Sequence, residues 1–215
     1  MEKKLEVSVI SPVFNERENL KTFVDSVTKV MHSTGMSWEL IVVDDGSDDG
    51  STTVIKELTN QDNIKCLLLA KNYGQTTAIQ AGFDNAIGKY LVTLDSDLQN
   101  DPKDIPALLH KLIEEELDLV VGWRKNRKDN YFLRNLPSSI ANKLIGNITG
   151  VKLHDYGCSL KAYRADVLKE VRLYGEMHRF IPAWMATKIP ASKISELVVT
   201  HHPRIAGKSK YGISR

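Results

Sequence analysis

The sequence predicts an α/β fold with a mostly parallel central sheet flanked by helices. Three observations predict it. Compact β-branched runs alternate with helix-periodic segments, giving five strand candidates within roughly the first 122 residues. Acidic residues stand at the carboxyl ends of two of those runs. At 215 residues and 42% hydrophobic composition, the chain can bury one sizeable core.

Val7 to Ile10 reads as a short buried strand broken by Pro12. Asn15 and Glu18 then have the spacing of a capping box, so a helix is expected to begin there. Its apolar stripe is Leu20, Phe23, Val24, Val27, Val30 and Met31, and Gly35 ends it. Glu39 to Val43 forms a second strand leading into Asp44, Asp45 and Gly46, which completes a βαβ unit. The alternation continues with a helix over 52–58, a strand over 65–69, a helix over 76–87 and a strand over 90–94. A helix over 105–116 and a strand over 119–122 follow.

After Trp123, five basic residues (Arg124, Lys125, Arg127, Lys128 and Arg134) crowd one region. Leu136, Ile140 and Leu144 then resume an apolar stripe, so a basic loop leading into an amphipathic helix is expected. Residues 151–200 mix short strands and helices less regularly. The stretch 201–215 carries Gly207, Lys208, Ser209, Lys210, Tyr211 and Gly212, which suits an anion-contacting loop. Neither repeats nor a low-complexity linker divide the chain, so 1–215 is read as one catalytic domain. Residues 1–122 would be mainly its donor half, and 123–215 mainly its acceptor half and closing tail.

The net charge of +2 is too small to imply nucleic-acid binding, and none is expected. Cys66 and Cys158 offer neither a metal-ligand spacing nor a disulfide framework, which fits a reducing compartment. The first four residues lead straight into a strand without a signal-like apolar segment. No apolar run approaches the roughly 20 residues a membrane helix requires.

Asp95 and Asp97 directly follow the 90–94 run, so a strand delivers two carboxylates to the crevice at its carboxyl end. Their spacing suits a hard cation such as Mg²⁺ or Mn²⁺, which would bridge them to a diphosphate. An isolated Asp-x-Asp is more commonly a surface turn. Asp44 and Asp45 hold the equivalent place after another strand, with Gly46 and Ser47 permitting a tight turn. There one acid could accept from a base or ribose, or the segment could be a strand-to-helix turn capped by Ser47 or Asp48. Trp184 and Met185 could touch lipid, but a core or domain-packing role is the preferred reading, and His201 and His202 are read as structural.

Three motifs occur in the order seen in inverting GT-A glycosyltransferases of family two. They are Val9-Ile10-Ser11-Pro12-Val13-Phe14-Asn15-Glu16, Val42-Val43-Asp44-Asp45-Gly46-Ser47 and Leu94-Asp95-Ser96-Asp97-Leu98-Gln99. Four further features resemble the branch holding dolichyl-phosphate mannose synthase and bacterial polyprenyl-phosphate glycosyltransferases. They are Arg124, Arg134 with Ser138, Asp155-Tyr156-Gly157-Cys158, and 207–212.

The resemblance implies a Rossmann-like GT-A sheet and a nucleotide pocket lined by Pro12, Phe14, Glu16 and Asp45, with Asp44 beside them. Asp95, Asp97 and Gln99 would surround Mg²⁺ or Mn²⁺, Asp95 also serving the donor. Arg124, Arg134 and Ser138 would contact an acceptor phosphate, Asp155 would stand beside the reacting centre, and Lys208 and Lys210 would close over donor phosphates. The implied reaction is inverting transfer from a UDP- or GDP-sugar to a polyprenyl phosphate at the cytoplasmic face of a membrane. A C-terminal anchor beyond Arg215 is expected, and a homo-oligomer is compatible with the sequence. Two alternatives stay open: transfer to a polysaccharide or protein hydroxyl, and an inactive nucleotide- or phospholipid-binding module.

Overall fold

The structure, a computed structural model, describes residues 5–125, 146 and 149–204. The expected amphipathic helix around 136–144 lies outside the described residues. Among the described residues the strands are β1 (Val7–Val13), β2 (Trp38–Asp44), β3 (Ile64–Leu68), β4 (Tyr90–Thr93), β5 (Leu119–Trp123), β6 (Lys161–Arg164) and β7 (Ile194–Val198). They form one sheet in the order β3-β2-β1-β4-β6-β5-β7. Only β6 is reversed, pairing antiparallel with both β4 and β5. The remaining neighbours pair parallel.

Every residue of β1 and β2 is buried, as expected of parallel strands covered on both faces. The helices supplying that cover include α1 (Arg17–Ser33), α2 (Ser51–Leu58), α3 (Gln75–Asn85) and α4 (Ile105–Glu114). On α1 the buried stripe is Leu20, Phe23, Val24, Val27 and Met31, and Gly35 follows its end at φ 69°.

Three local expectations are corrected. First, β1 runs through Pro12 to Val13. Its ladder with β4 ends at Ile10, so the missing Pro12 N–H falls where no strand partner is needed. Ser96 Oγ instead reaches the Pro12 carbonyl at 3.3 Å. Second, the Asn15/Glu18 capping box does not form. Asn15 adopts φ 55°, its Nδ2 donates to Asp48 Oδ1 and its Oδ1 accepts from the Asp48 backbone N–H, tying the β1–α1 turn to the β2–α2 turn. Third, Trp184 is 41% exposed, whereas Met185 is fully buried as expected. No helix among the described residues is long and apolar enough to cross a membrane.

In the order 3-2-1-4, successive crossovers leave β1 in opposite directions. This places a topological switch point between the carboxyl ends of β1 and β4, where open α/β sheets form a ligand crevice.

Candidate active site

The turns after β1 and β4 meet at this crevice. Pro12 is buried at the end of β1, Phe14 is half-buried beyond it, and Glu16 is buried. After β4 come Asp95, half-buried, and Asp97, buried. Leu94 and Leu98 pack beneath the turn, and Leu98 takes φ 61° to make it. Asp97 Oδ1 accepts from the Gln99 N–H at 3.1 Å.

Arg204 joins the two turns. Its Nη1 lies 2.7 Å from Glu16 Oε1 and its Nη2 lies 2.8 Å from Asp97 Oδ2. Sequence reasoning did not single out this residue, whose only signal was a position three before Gly207. Burial, then the neighbouring Asp95, pushes the Asp97 carboxyl up to about 6, against the Gln99 amide and Arg204. Burial also raises Asp95, opposed by nearby Ser159, Arg124, Lys161 and Arg204. Carboxylates held against their own burial favour cations. The carboxylate oxygens of Asp95 and Asp97 are the hard donors Mg²⁺ or Mn²⁺ takes, so their chemistry fits such an ion once Arg204 releases Asp97 Oδ2. Among the described residues, no cluster of three or more His, Cys, Asp or Glu could hold a metal by itself. A site there would draw its remaining ligands from Gln99, water or substrate.

The acids after β2 play a different part. Asp44 accepts from the Ser47 N–H and the Thr52 hydroxyl, so both its oxygens serve the β2–α2 turn. Asp45, fully buried, accepts from the N–H groups of Tyr73 at 2.7 Å and Gly74 at 2.9 Å. It thereby fixes the loop that opens α3. Gly46 takes φ 71°, and a Cβ there would come within 2.4 Å of the Lys71 carbonyl carbon, so only glycine fits beneath that loop. The first residue of α3, Gln75, donates to Asp95 Oδ1 at 2.7 Å. The next, Thr76, bonds His178 Nδ1 at 2.6 Å. Burial lowers the His178 pKa to about 3, so its ring is neutral.

On the β5 side, Arg124 and Asp155 form a bidentate pair at 2.7 and 2.9 Å, with Asp155 buried and Arg124 partly so. Between this pair and Asp95 lies Lys161 of β6, 2% exposed, whose ammonium donates to the Cys158 carbonyl. Its strand partners are Thr93, two residues before Asp95, and Val121, three before Arg124. Burial lowers the Lys161 pKa to about 8, with Cys158, Asp155 and Asp95 opposing that shift. The structure thus gathers Glu16, Asp95, Asp97, Arg124 and Asp155 around one crevice and adds Arg204, Lys161 and Gln75. It directs Asp44 into its own turn. Arg134, Ser138, Lys208 and Lys210 lie outside the described residues.

The model for "Glycosyl transferase family 2" matches residues 8–172, which take in both acidic turns and the Arg124–Asp155 pair. The chain belongs to glycosyl transferase family 2. Within that family it is 55% identical over 213 residues to dodecaprenyl-phosphate galacturonate synthase of Rhizobium johnstonii, covering 98% of this chain. The match spans 63% of that relative's length. Mannosyl-3-phosphoglycerate synthase from Rubrobacter xylanophilus superposes with a TM-score of 0.75 at 13% identity, covering 93% of this chain and 67% of its own. Glucosyl-3-phosphoglycerate synthase from Mycobacterium tuberculosis, solved with Mn²⁺, UDP and glucosyl-3-phosphoglycerate, gives 0.70 at 18%, covering 93% and 73%. These two likenesses establish a shared fold, the GT-A sheet expected from the motifs.

Proposed function

We propose that this family 2 chain transfers a sugar from a nucleotide-diphosphate donor to a polyprenyl phosphate, with inversion at the anomeric carbon. The observation that carries the reading is the 55% identity, over nearly the whole chain, to a synthase named for dodecaprenyl phosphate and galacturonate. Galacturonate is accordingly the first sugar to test.

In this reading residues up to 122 mainly bind the donor, and those from 123 onward mainly bind the acceptor. Pro12, Phe14, Glu16 and the Asp45-fixed loop border the nucleotide. Asp95, Asp97 and Gln99 hold Mg²⁺ or Mn²⁺, which when bound stabilises the negative charge growing on the leaving diphosphate. Gln75 and Lys161 keep Asp95 oriented. Arg124 offers its guanidinium edge to the acceptor phosphate beside Asp155, joined by Arg134 and Ser138, while Lys208 and Lys210 close over the donor.

A phosphate monoester has its second pKa near ~6, so at neutral pH the acceptor oxygen is already a competent nucleophile. That oxygen forms the bond to the anomeric carbon as the bond to the donor's β-phosphate breaks, and the nucleoside diphosphate leaves. No general base is required. This favours a phosphate over a hydroxyl acceptor, because both Asp155 oxygens accept from Arg124 and are poorly placed to remove a proton. The acceptor's lipid nature makes a membrane surface the working partner.

The test is a panel of UDP- and GDP-sugars, UDP-galacturonate included, offered with polyprenyl phosphate, polyprenyl alcohol and simple hydroxyl acceptors. Product is expected only with the phosphate lipid. Preferential transfer to a hydroxyl, or no transfer to the phosphate from any donor, would overturn the reading.

A further inference from the structure

The 3₁₀ turn Met177–Phe180 packs against α3 and sets His178 beside the first turn of that helix. Met177 and Ile181, on either side of the histidine, are buried in the core and fix the turn. The segment before it is fastened farther along α3, where Arg172 reaches Asp84 at 2.9 Å and the Leu173 N–H donates to Gln80 Oε1 at 2.8 Å. The ring itself is set by Thr76, whose hydroxyl oxygen lies 2.6 Å from His178 Nδ1. Thr76 is 2% exposed and its hydroxyl has no other partner among the described residues, so the hydroxyl donates to Nδ1. The reverse arrangement would bury the hydroxyl proton without an acceptor. Nε2 therefore carries the hydrogen of the ring. It makes no hydrogen bond to a described residue and is not one of the buried unpartnered atoms, so this N–H is open to solvent. Two neighbours locate it. Gln75, one residue before Thr76, donates to Asp95 Oδ1 at 2.7 Å. Lys161, between Asp95 and the Arg124–Asp155 pair, stands near enough for its charge to oppose protonation of the ring.

We propose that His178 is a sugar-binding residue, donating its Nε2–H to a hydroxyl of the sugar being transferred, with Thr76 holding the ring for that contact. The inference deepens the reading of transfer from a nucleotide sugar and rests on it. In that reading the donor diphosphate belongs at the turn of Asp95 and Asp97, and the acceptor phosphate belongs at Arg124. The sugar then occupies the interval between them, which His178 borders. A phosphate would be served by a cation, whereas burial and the charges of Arg179 and Lys161 keep this ring neutral. A neutral donor fits a neutral hydroxyl. Thr76 also decides which nitrogen carries the hydrogen, so the contact is organised before the sugar arrives.

The experiment titrates UDP-galacturonate, or whichever donor of the panel wild type uses, and separately its nucleoside diphosphate, both with Mn²⁺ present. Thermal melts and transfer kinetics accompany the binding curves. His178→Ala is expected to bind the nucleoside diphosphate as wild type does but the donor about tenfold more weakly, with kcat/KM for the donor falling in parallel. His178→Gln keeps an N–H near the Nε2 position and should recover part of that loss. His178→Asn keeps a polar atom near the Nδ1 position for Thr76 but no donor at Nε2, and should not. The KM for polyprenyl phosphate should stay at the wild-type value in all three. A merely structural histidine would weaken nucleoside diphosphate and donor equally, lower the Tm and be rescued by asparagine, and that pattern would overturn the proposal. Unchanged donor affinity in His178→Ala would overturn it as well, as would a loss confined to the acceptor titration, which would put His178 on the acceptor phosphate. Failure of the acceptor reading would show separately, as wild type that binds donor yet makes no product with the phosphate lipid. The binding comparison still reads His178 in that case.

Discussion

Arg204 Nη2 stands 2.8 Å from Asp97 Oδ2 while the same guanidinium holds Glu16, so one side chain clamps the two sides of the crevice. Replacing it strands two buried carboxylates beside Asp95. Arg204→Gln is expected to lose about 1–3 kcal/mol of stability, less than for a fully buried pair because the arginine is partly solvated. A divalent cation would supply the missing charge, so Mn²⁺ should raise the Tm of Arg204→Gln more than that of wild type. Equal Mn²⁺ gains in thermal melts of the two proteins would show that the arginine and the ion do not share these acids.

Asp97 sets a pH dependence. Its folded-state pKa, about 6, lies above its ordinary 3.8, so the fold binds this proton more tightly than the unfolded chain does. The stability of the metal-free protein should therefore fall as pH rises from about 4 to about 6. Asp97→Asn should flatten that fall and raise the metal-free Tm at pH 7, while costing transfer at least about a hundredfold. Chelation should abolish wild-type transfer. Melts across this pH window, with activity assays in excess chelator, check both limbs; a variant active without metal would sink the assignment.

Much of this site was legible because carboxylates follow strands whose residues are uniformly buried. Asp44, Asp45, Asp95 and Asp97 could be placed at strand ends from pattern alone. What those acids do could not. Asp44 and Asp45 stand at the same strand end, yet one binds its own turn and the other reaches across to Tyr73 and Gly74. That choice is tertiary. Strand β6 was missed because four residues with a basic residue at each end carry no strand periodicity, and its first residue is a lysine buried for charge. Arg204 was missed because its partners lie 188 and 107 positions away.

The Arg124–Asp155 pair separates stability from chemistry. Arg124→Ala removes the bidentate cation from a buried carboxylate and should cost about 3–5 kcal/mol. The double variant Arg124→Met/Asp155→Leu removes both charges and should recover most of that loss, yet remain inactive. Melts and acceptor titrations of the single and double variants form the required cycle. A double variant that regains transfer would mean the pair only holds the fold.

Lys161 offers the opposite trade. Its folded-state pKa of about 8 lies below its ordinary 10.5, so below pH 8 the fold carries an ammonium that its burial opposes. The sign follows: the lysine's contribution to stability improves as pH rises from about 8 toward about 10.5, and near neutrality it is a net cost. Lys161→Met keeps the side-chain length, removes that cost and should leave the Tm unchanged or raised at pH 7. The same change takes a positive charge from beside Asp95 and Asp155, while the Gln75 bond to Asp95 remains. Transfer should then fall by roughly one to two orders of magnitude, as for loss of a charge-assisted contact. Lys161→Arg, which keeps the charge at some steric expense, should recover part of the activity. The decisive measurement is transfer rate against Mn²⁺ concentration for all three proteins. If Lys161 acts by orienting Asp95, the methionine variant will need more Mn²⁺ to reach half its maximal rate. An unchanged Mn²⁺ requirement with a lowered Tm would instead make Lys161 a packing residue of the sheet.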